Sequence, residues 1–503
     1  MIEYTGFIRL RRYVPVNFLL TLFFSMLGLA VMGYHPGIED DGVYLTAVKY
    51  KLNPALYPHD SAFFRLQMQA SVFDNCVAGF VRWTGISLAT TELLLQFASI
   101  ALIVFACWKI ARGLFPEARA QWAGVAMVTA MFTLPVAGTA LYLVDQHLHP
   151  RNMATAIILL AVSRILTGKK WQAVPLLLLA FLLHPIMAAL GISFCFFLTM
   201  AMQEPAFAWL RRLRFNRASL AVAFVPLGWV FESPTPIWRE AVNMHDSLCL
   251  YRWAWYEWLG AVAPLVLFWL LWRVAQKQGE RPLAHFALAV FVYGVFHLAL
   301  AMILLAIPAL IRIVPMQPMR FLHLVYFFMA LLGGCLLGKY LLKASVWRWA
   351  VYLAVINAGM FLSQWMLFDS SEHLEWPGRP TANHWLQAFA WIRQNTPTDA
   401  YFALDPEYLA APGEDYHTFR ALAERSQMAD IIKDSAVVTQ VPELAEVWGR
   451  QLQAQKGWTR FQLADFERLK AEFGVGWVVV GYPAQAGLDC RWHSDAVSVC
   501  RVP

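Results

Sequence analysis

Charge is scarce in this 503-residue chain: Asp, Glu, Lys and Arg make up 15% of it, against about 25% in soluble domains. That shortage, beside 59% apolar side chains, excludes a disordered chain, a coiled coil, a collagen and a compact soluble enzyme. Cysteine is scarce too, at seven residues, and no CxxC or zinc-type spacing occurs, which excludes a zinc-stapled module. The net charge of +7 comes without a basic patch or basic-aromatic interleaving, so no nucleic-acid partner is expected.

What charge there is divides the chain. Residues 1–368 hold 28 Lys and Arg against 15 Asp and Glu, and residues 369–503 hold 12 against 18. The expected organisation is a polytopic α-helical membrane domain over 1–368 and a soluble tail over 369–503. Apolar runs of about bilayer length fall at 16–34, 88–108, 121–143, 150–167, 171–185, 186–202, 218–231, 259–275, 283–307, 321–338 and 346–368, predicting about eleven spans. The first run exceeds a signal-peptide core and reads as a retained anchor. With the N-terminus inside, the inner loops collect 19 Lys and Arg, including Arg9, Arg11, Arg12, Arg211, Arg212, Arg214 and Arg217, against nine outside. That is the bias of cytoplasmic loops. An odd number of spans then puts the tail, and a long first loop at 35–87, on the outer face.

The tail reads as α/β. Trp385, Phe389 and Ile392 recur at i, i+4, i+7 in a helix over 383–394. Tyr401–Leu404 and Val475–Val480 read as short buried strands, with an amphipathic helix over 463–470. Cys490 and Cys500 flank the turn at 493–495 in a terminal hairpin, and outside the membrane they are expected to form a disulfide. The segments 420–426 and 443–450 either shape an acceptor groove or pack.

Ten of the fifteen acidic residues of 1–368 fall on the outer side. Three are consecutive, Glu39, Asp40 and Asp41, just after the first span. They are either loop solvation or, partly buried, carboxylates with a pKa raised towards that of a general base. The loop between the third and fourth spans carries Asp145, His147, His149 and Arg151 within seven residues. An acid, two imidazoles and a guanidinium suit metal ligation, phosphate binding or simple loop polarity. Arg320, at the outer edge of a span, either faces a cavity or anion or snorkels to the headgroups. His184 ends a span, and His297, His323 and Glu92 within apolar runs fit interhelical hydrogen bonds.

The acidic motif after the first span, the long first outer loop with interfacial helices, and an external α/β tail opened by Trp391-Ile-Arg-Gln-Asn-Thr-Pro-Thr-Asp-Ala400 together resemble the C-type glycosyltransferase (GT-C) superfamily. The resemblance implies inverting transfer of a sugar from a polyprenyl-phosphate donor to a glycan, lipid or protein acceptor, on the extracytoplasmic face of a bacterial plasma (inner) membrane. It makes Asp40, Asp41 and Glu39 the candidate catalytic carboxylates, without choosing between Asp40 and Asp41. Arg320, Arg151 and His149 become the candidates for the donor phosphate, with Asp145, His147 and His184 as further site candidates. The second outer loop lacks an acidic pair of the metal-binding DxD type, so no metal cofactor is expected. The rival class is a transporter or lipid flippase with a path through Asp40, Asp145, His184 and His297. Such folds usually carry inverted repeats, and none is visible. A third reading, a polysaccharide polymerase or ligase, shares the lipid donor but not the acidic first loop.

Overall fold

The computed structural model describes residues 4–203 and 234–503. The expected span at 218–231, Glu232 and the basic group Arg211 to Arg217 lie outside the described residues. Among those described, five stretches are long and apolar enough to cross a membrane: Leu88–Leu114, Trp255–Lys277, Arg281–Ala306, Leu310–Leu342 and Val346–Leu367. Val16–Met32, Lys170–Leu183 and Pro185–Ala201 are shorter apolar helices. A membrane protein is the fold class, with fewer full-length spanning helices described than the eleven runs suggest.

Helix α1 (Tyr4–Met32) leads into a loop that carries a 3-10 turn (Glu39–Gly42) and helices α2 (Tyr44–Leu52), α3 (Ala62–Met68) and α4 (Phe73–Thr84). These three helices do more than lie on a lipid surface: Val48, Phe64 and Val77 share one buried cluster with Val438 and Trp448 of the tail. Helices α5 (Leu88–Leu114) and α6 (Ala118–Ala130) follow. The run at 121–143 is not one span, because α6 stops at Ala130 and strands β1 (Pro135–Val136) and β2 (Leu141–Tyr142) pair antiparallel. Pro135 removes a donor, and Gly138 sits at φ +62 where a Cβ would lie 2.4 Å from the Trp253 ring. Helices α7 (Pro150–Leu166), α8 (Lys170–Leu183) and α9 (Pro185–Ala201) form one packed group.

Past the undescribed segment come α10 (Pro236–Asn243), α11 (Trp255–Lys277), α12 (Arg281–Ala306), a 3-10 stretch broken at Gln317, α13 (Leu322–Leu337) and α14 (Val346–Leu367). Helix α13 is the central post of the bundle, and it approaches α6 closely through glycines. A Cβ on Gly124 would lie 2.4 Å from Cys335 Sγ, and one on Gly334 would lie 2.6 Å from the Ala123 carbonyl. Small residues at such crossings replace the hydrophobic drive that lipid does not supply.

The C-terminal region has α15 (His384–Asn395), α16 (Phe419–Ala423), α17 (Lys433–Gln440), α18 (Ala445–Gln455) and α19 (Leu463–Phe473) around strands β3 (Tyr401–Ala403), β4 (Ser426–Gln427), β5 (Trp477–Gly481), β6 (Asp489–His493) and β7 (Val497–Arg501). The sheet order is β4-β3-β5-β7-β6, parallel at β4/β3/β5 and antiparallel at β5/β7/β6. Asn383 caps α15 by accepting from the Trp385 and Leu386 N–H groups, and Phe389 and Ile392 are buried beneath it. Cys490 and Cys500 face each other across β6 and β7 and are bridged, with Cα atoms 3.7 Å apart.

The tail is bound to the first loop by buried polar groups. Arg420 forks Asp434 at 2.7 and 2.8 Å and also reaches Asp60. Lys49 donates to the Ala421 carbonyl at 2.6 Å and pairs with Glu424 at 2.8 Å. Segments 420–426 and 443–450 therefore pack: Arg420 is interlocked and Trp448 is in the core, donating to the Asp430 carbonyl at 3.0 Å.

Candidate active site

A 3-10 turn has about three residues per turn, so consecutive side chains point roughly 120° apart and the acidic triplet is split. Asp41 turns inward and is buried, its carboxylate accepting from the Gly37 N–H at 2.8 Å. Burial, then the nearby Glu92 carboxylate, pushes the Asp41 carboxyl well above the usual range. Asp41 thus lies off the wall that Glu39 and Asp40 share. The Asp40 side chain keeps 40% of its surface exposed. Burial raises its pKa, but Lys433, His149 and Arg151 outweigh that and hold the carboxyl well below its ordinary value.

The second loop is built around Asp145. Gln96 donates to its carbonyl at 2.7 Å, its own N–H donates to Asn152 Oδ1 at 3.0 Å, and Arg151 forks its carboxylate, with Nε 3.0 Å from Oδ2. Pro150 at the first position of α7 and His149 as its cap fix where the loop ends. His149 Nδ1 accepts from the Arg151 N–H at 2.9 Å, so the ring hydrogen sits on Nε2, which faces Asp40 Oδ2 at 3.3 Å. Burial and then Arg151 lower the His149 pKa. His147 is 3% exposed, neither ring nitrogen has a hydrogen-bond partner among the described residues, and burial pushes it down to about 3.

Two more cations complete the group. Arg320 comes from the 3-10 stretch before α13 and donates to Gln317. Lys433 opens α17 in the tail and reaches back to Glu39 and to Asp40 Oδ1, the latter at 3.4 Å. Lys433 carries no motif and stands 393 residues from Asp40; its only sequence signal is being the one basic residue between Arg425 and Arg450.

These side chains enclose a cavity of about 620 Å³ that adjoins a smaller chamber of about 100 Å³. Asp40, Arg151, Gln317, Arg320 and Lys433 line both. The small chamber adds Tyr44, Gln67, His184 and Gln440, so three cations there face one carboxylate. The large chamber adds Glu39, Asp145, Asp246 and Glu257, with Tyr142, Phe368 and Tyr416. Of the candidates from the sequence, Glu39, Asp40, Asp145, His147, Arg151 and Arg320 line the large chamber and His184 the small one. His149 stands behind Asp40. His297 is paired with Ser193 at 2.9 Å and His323 with the Leu143 carbonyl at 3.0 Å.

Backbone strain gathers here as well. Glu39, Ala140, Gln317 and Tyr416 all line the large chamber with φ of 52, 53, 49 and 63°. A side-chain-bearing residue in that region costs on the order of 1 kcal/mol or more, and such residues cluster at functional sites. The strain at Tyr416 is held by the Glu39 N–H donating to its carbonyl at 3.0 Å and by Asp415 accepting from the Ser371 hydroxyl at 2.7 Å.

Residues 383–453 match a family model described as Domain of unknown function (DUF6798), a stretch that includes Arg420 and Lys433. No curated protein matches the chain. Among solved structures, the chain is similar to archaeal oligosaccharyltransferase AglB from Archaeoglobus fulgidus, in complex with an inhibitory peptide and a dolichol-phosphate, at 15% identity and a TM-score of 0.21. The similarity covers 92% of this chain and 58% of that one, so the chain spans less than two thirds of that protein's length.

Proposed function

We propose that the chain is a GT-C-like membrane glycosyltransferase that moves a sugar from a polyprenyl-phosphate donor to an acceptor on the outer membrane face. One observation carries the reading: an anion-favouring chamber with three cations meets a carboxylate-bearing chamber, and Asp40 stands at their junction. In this reading the donor phosphate lies against Arg320, Arg151 and Lys433, and the sugar and acceptor occupy the larger chamber. Asp40 takes the proton from, or orients, the acceptor nucleophile. The new bond forms at the anomeric carbon as the phosphate leaves with the bonding electrons, and the cations neutralise the growing charge. A single displacement of this kind inverts the anomeric centre.

Free Asp40 is a weak base because its neighbours depress its pKa. A bound phosphate shares Lys433 and Arg151, which lets that pKa rise and strengthens the base when the donor is in place. The reading includes the division of the chain near residue 368, a cytoplasmic N-terminus, the tail on the outer face and a bacterial inner membrane. The transport reading is the weaker one, since two members of its path are engaged locally, His297 with Ser193 and Asp145 with Arg151.

The test is transfer from a radiolabelled polyprenyl-phosphate sugar in vesicles containing the purified full-length protein. Wild type is expected to label an acceptor fraction, Asp40→Asn to abolish labelling while still binding a short polyprenyl phosphate, and Arg320→Ala to weaken that binding. Equal labelling in all three proteins would refute the reading.

A further inference from the structure

The loop at 145–151 leaves two chemistries open, metal ligation and anion binding, and the committed lone pairs decide between them. A divalent cation needs several free carboxylate or imidazole donors at once. Both Asp145 oxygens are taken by the Arg151 guanidinium. His149 Nδ1 is spent on the Arg151 N–H, and its Nε2 carries the hydrogen. Asp40 Oδ1 faces Lys433, and Oδ2 faces His149 at 3.3 Å and Arg151 at 4.0 Å. Glu39 is held by Lys433. Of these groups only the second Glu39 oxygen and the His147 nitrogens stay uncommitted, and among the described residues no group of three or more His, Cys, Asp or Glu could hold a metal ion. The residues as arranged do not fit a divalent cation.

Arg151 is unusual in a second respect. It is 4% exposed, yet it lines both chambers and sits between two carboxylates on different loops. A buried ion pair gives little net stability once desolvation is counted, so the Asp145 clamp is better understood as aim. It fixes one edge of the planar fork and turns the rest towards the junction, where a planar guanidinium suits phosphate oxygens. We infer that Arg151, oriented by Asp145, is the built-in cation of this site, doing with a guanidinium what the same acids would otherwise need a divalent ion to do. The inference rests on the transferase reading for its substrate, a phosphate-bearing lipid, and extends it to how the leaving charge is met. Asp145 is then a positioning residue, and His149 supports the arrangement by capping α7 beneath Arg151.

The experiment is electron paramagnetic resonance of Mn2+ titrated into the purified full-length protein, beside binding of farnesyl phosphate. Wild type is expected to leave the free Mn2+ signal unchanged and to bind farnesyl phosphate equally with and without EDTA. Arg151→Gln frees both Asp145 oxygens beside the unpartnered His147 nitrogens, so it is expected to gain a Mn2+ site that Asp145→Asn on the same background removes. It is also expected to weaken farnesyl-phosphate binding by about tenfold or more, as for a lost charge-assisted contact. A Mn2+ site in wild type that Asp145→Asn abolishes overturns the inference, as does a folded Arg151→Gln that stays silent to Mn2+. Should Arg151→Gln not fold, wild type measured with and without Asp145→Asn decides the matter, a silent wild type supporting it and a lost Mn2+ site overturning it. Failure of wild type to bind farnesyl phosphate strikes the transferase reading instead, which the Mn2+ result leaves apart.

Discussion

Two buried arginines in this protein each meet a pair of aspartates and have opposite characters. Arg420 is forked by Asp434 at 2.7 and 2.8 Å and held by Asp60, with all three side chains at most 4% exposed. Its charge is saturated, and it ties the tail to the first loop. Arg151 is forked by Asp145 alone, and its second carboxylate, Asp40, stands 4.0 Å away with 40% of its side chain exposed. The composition of an ion-pair network therefore does not tell structure from function. What tells them apart is whether the network closes on itself or leaves charge facing a cavity.

The sharpest way to break the comparison is to remove adjacent carboxylates one at a time. Asp40→Asn is expected to cut transfer by about 10²–10⁴, the usual contribution of a positioned acid or base. Asp41→Asn is expected to change it little, because Asp41 is buried off the wall of both chambers and an amide oxygen still accepts from the Gly37 N–H. Initial rates on membranes with matched protein levels separate the two, and equal losses would erase the distinction drawn from the 3-10 turn.

Next in size is the closed network. Arg420→Ala leaves Asp60 and Asp434 buried without their cation, a loss of about 3–5 kcal/mol. Thermal unfolding followed by tryptophan fluorescence should show the tail melting early, and a normal melting curve would mean that the network contributes little.

Lys433 joins the two regions, belonging to the tail but facing Asp40. Lys433→Ala is expected to weaken donor binding about 10-fold or more, the range of a hydrogen bond to a charged group. It is also expected to move the acid limb of the activity profile. Lys433 helps to hold the Asp40 carboxyl below its ordinary value, so without it the carboxylate protonates at higher pH and activity falls sooner on acidification. An unchanged acid limb would separate Lys433 from Asp40.

The smallest effect belongs to a third contact between bundle and tail, where Glu375 accepts from His35 at 2.7 Å and from His417 at 3.0 Å. Burial opposes the charge on Glu375, but His417 and His35 overcome it and bring its pKa down to about 2. Its contribution is present above the ordinary value of 4.5 and is lost as pH falls towards 2. Burial likewise opposes protonation of His417, and Glu375 reverses that and raises its pKa. That contribution is full below the ordinary 6.5 and is lost as pH rises through the raised value. Stability of the junction should therefore peak at about pH 5–6, and Glu375→Gln should flatten the profile on both sides.

Much of this was legible in the sequence wherever a local rule governed. The helix at 383–394, the strands near 401 and 475 and the cross-strand cysteines depend on neighbours within a few residues, and they stand where periodicity and turn chemistry put them. The acidic triplet and the Asp145 loop were visible as clusters for the same reason. The choice between Asp40 and Asp41 was not, because it depends on the handedness and pitch of a four-residue turn. The apolar run at 121–143 misled because hydropathy is blind to a hairpin that buries itself under Trp253. Lys433 was illegible for a deeper cause: its role exists only after the tail has docked on the first loop through Arg420, Lys49 and Tyr57.

The central claim is that the two chambers form one site with the donor phosphate at their junction. Cryo-electron microscopy of the full-length protein with farnesyl phosphate tests it most directly. The account predicts phosphate density within hydrogen-bond distance of Arg320, Arg151 and Lys433, with Asp40 turned towards the large chamber. Phosphate density elsewhere, with the small chamber unchanged at saturating ligand, would contradict it.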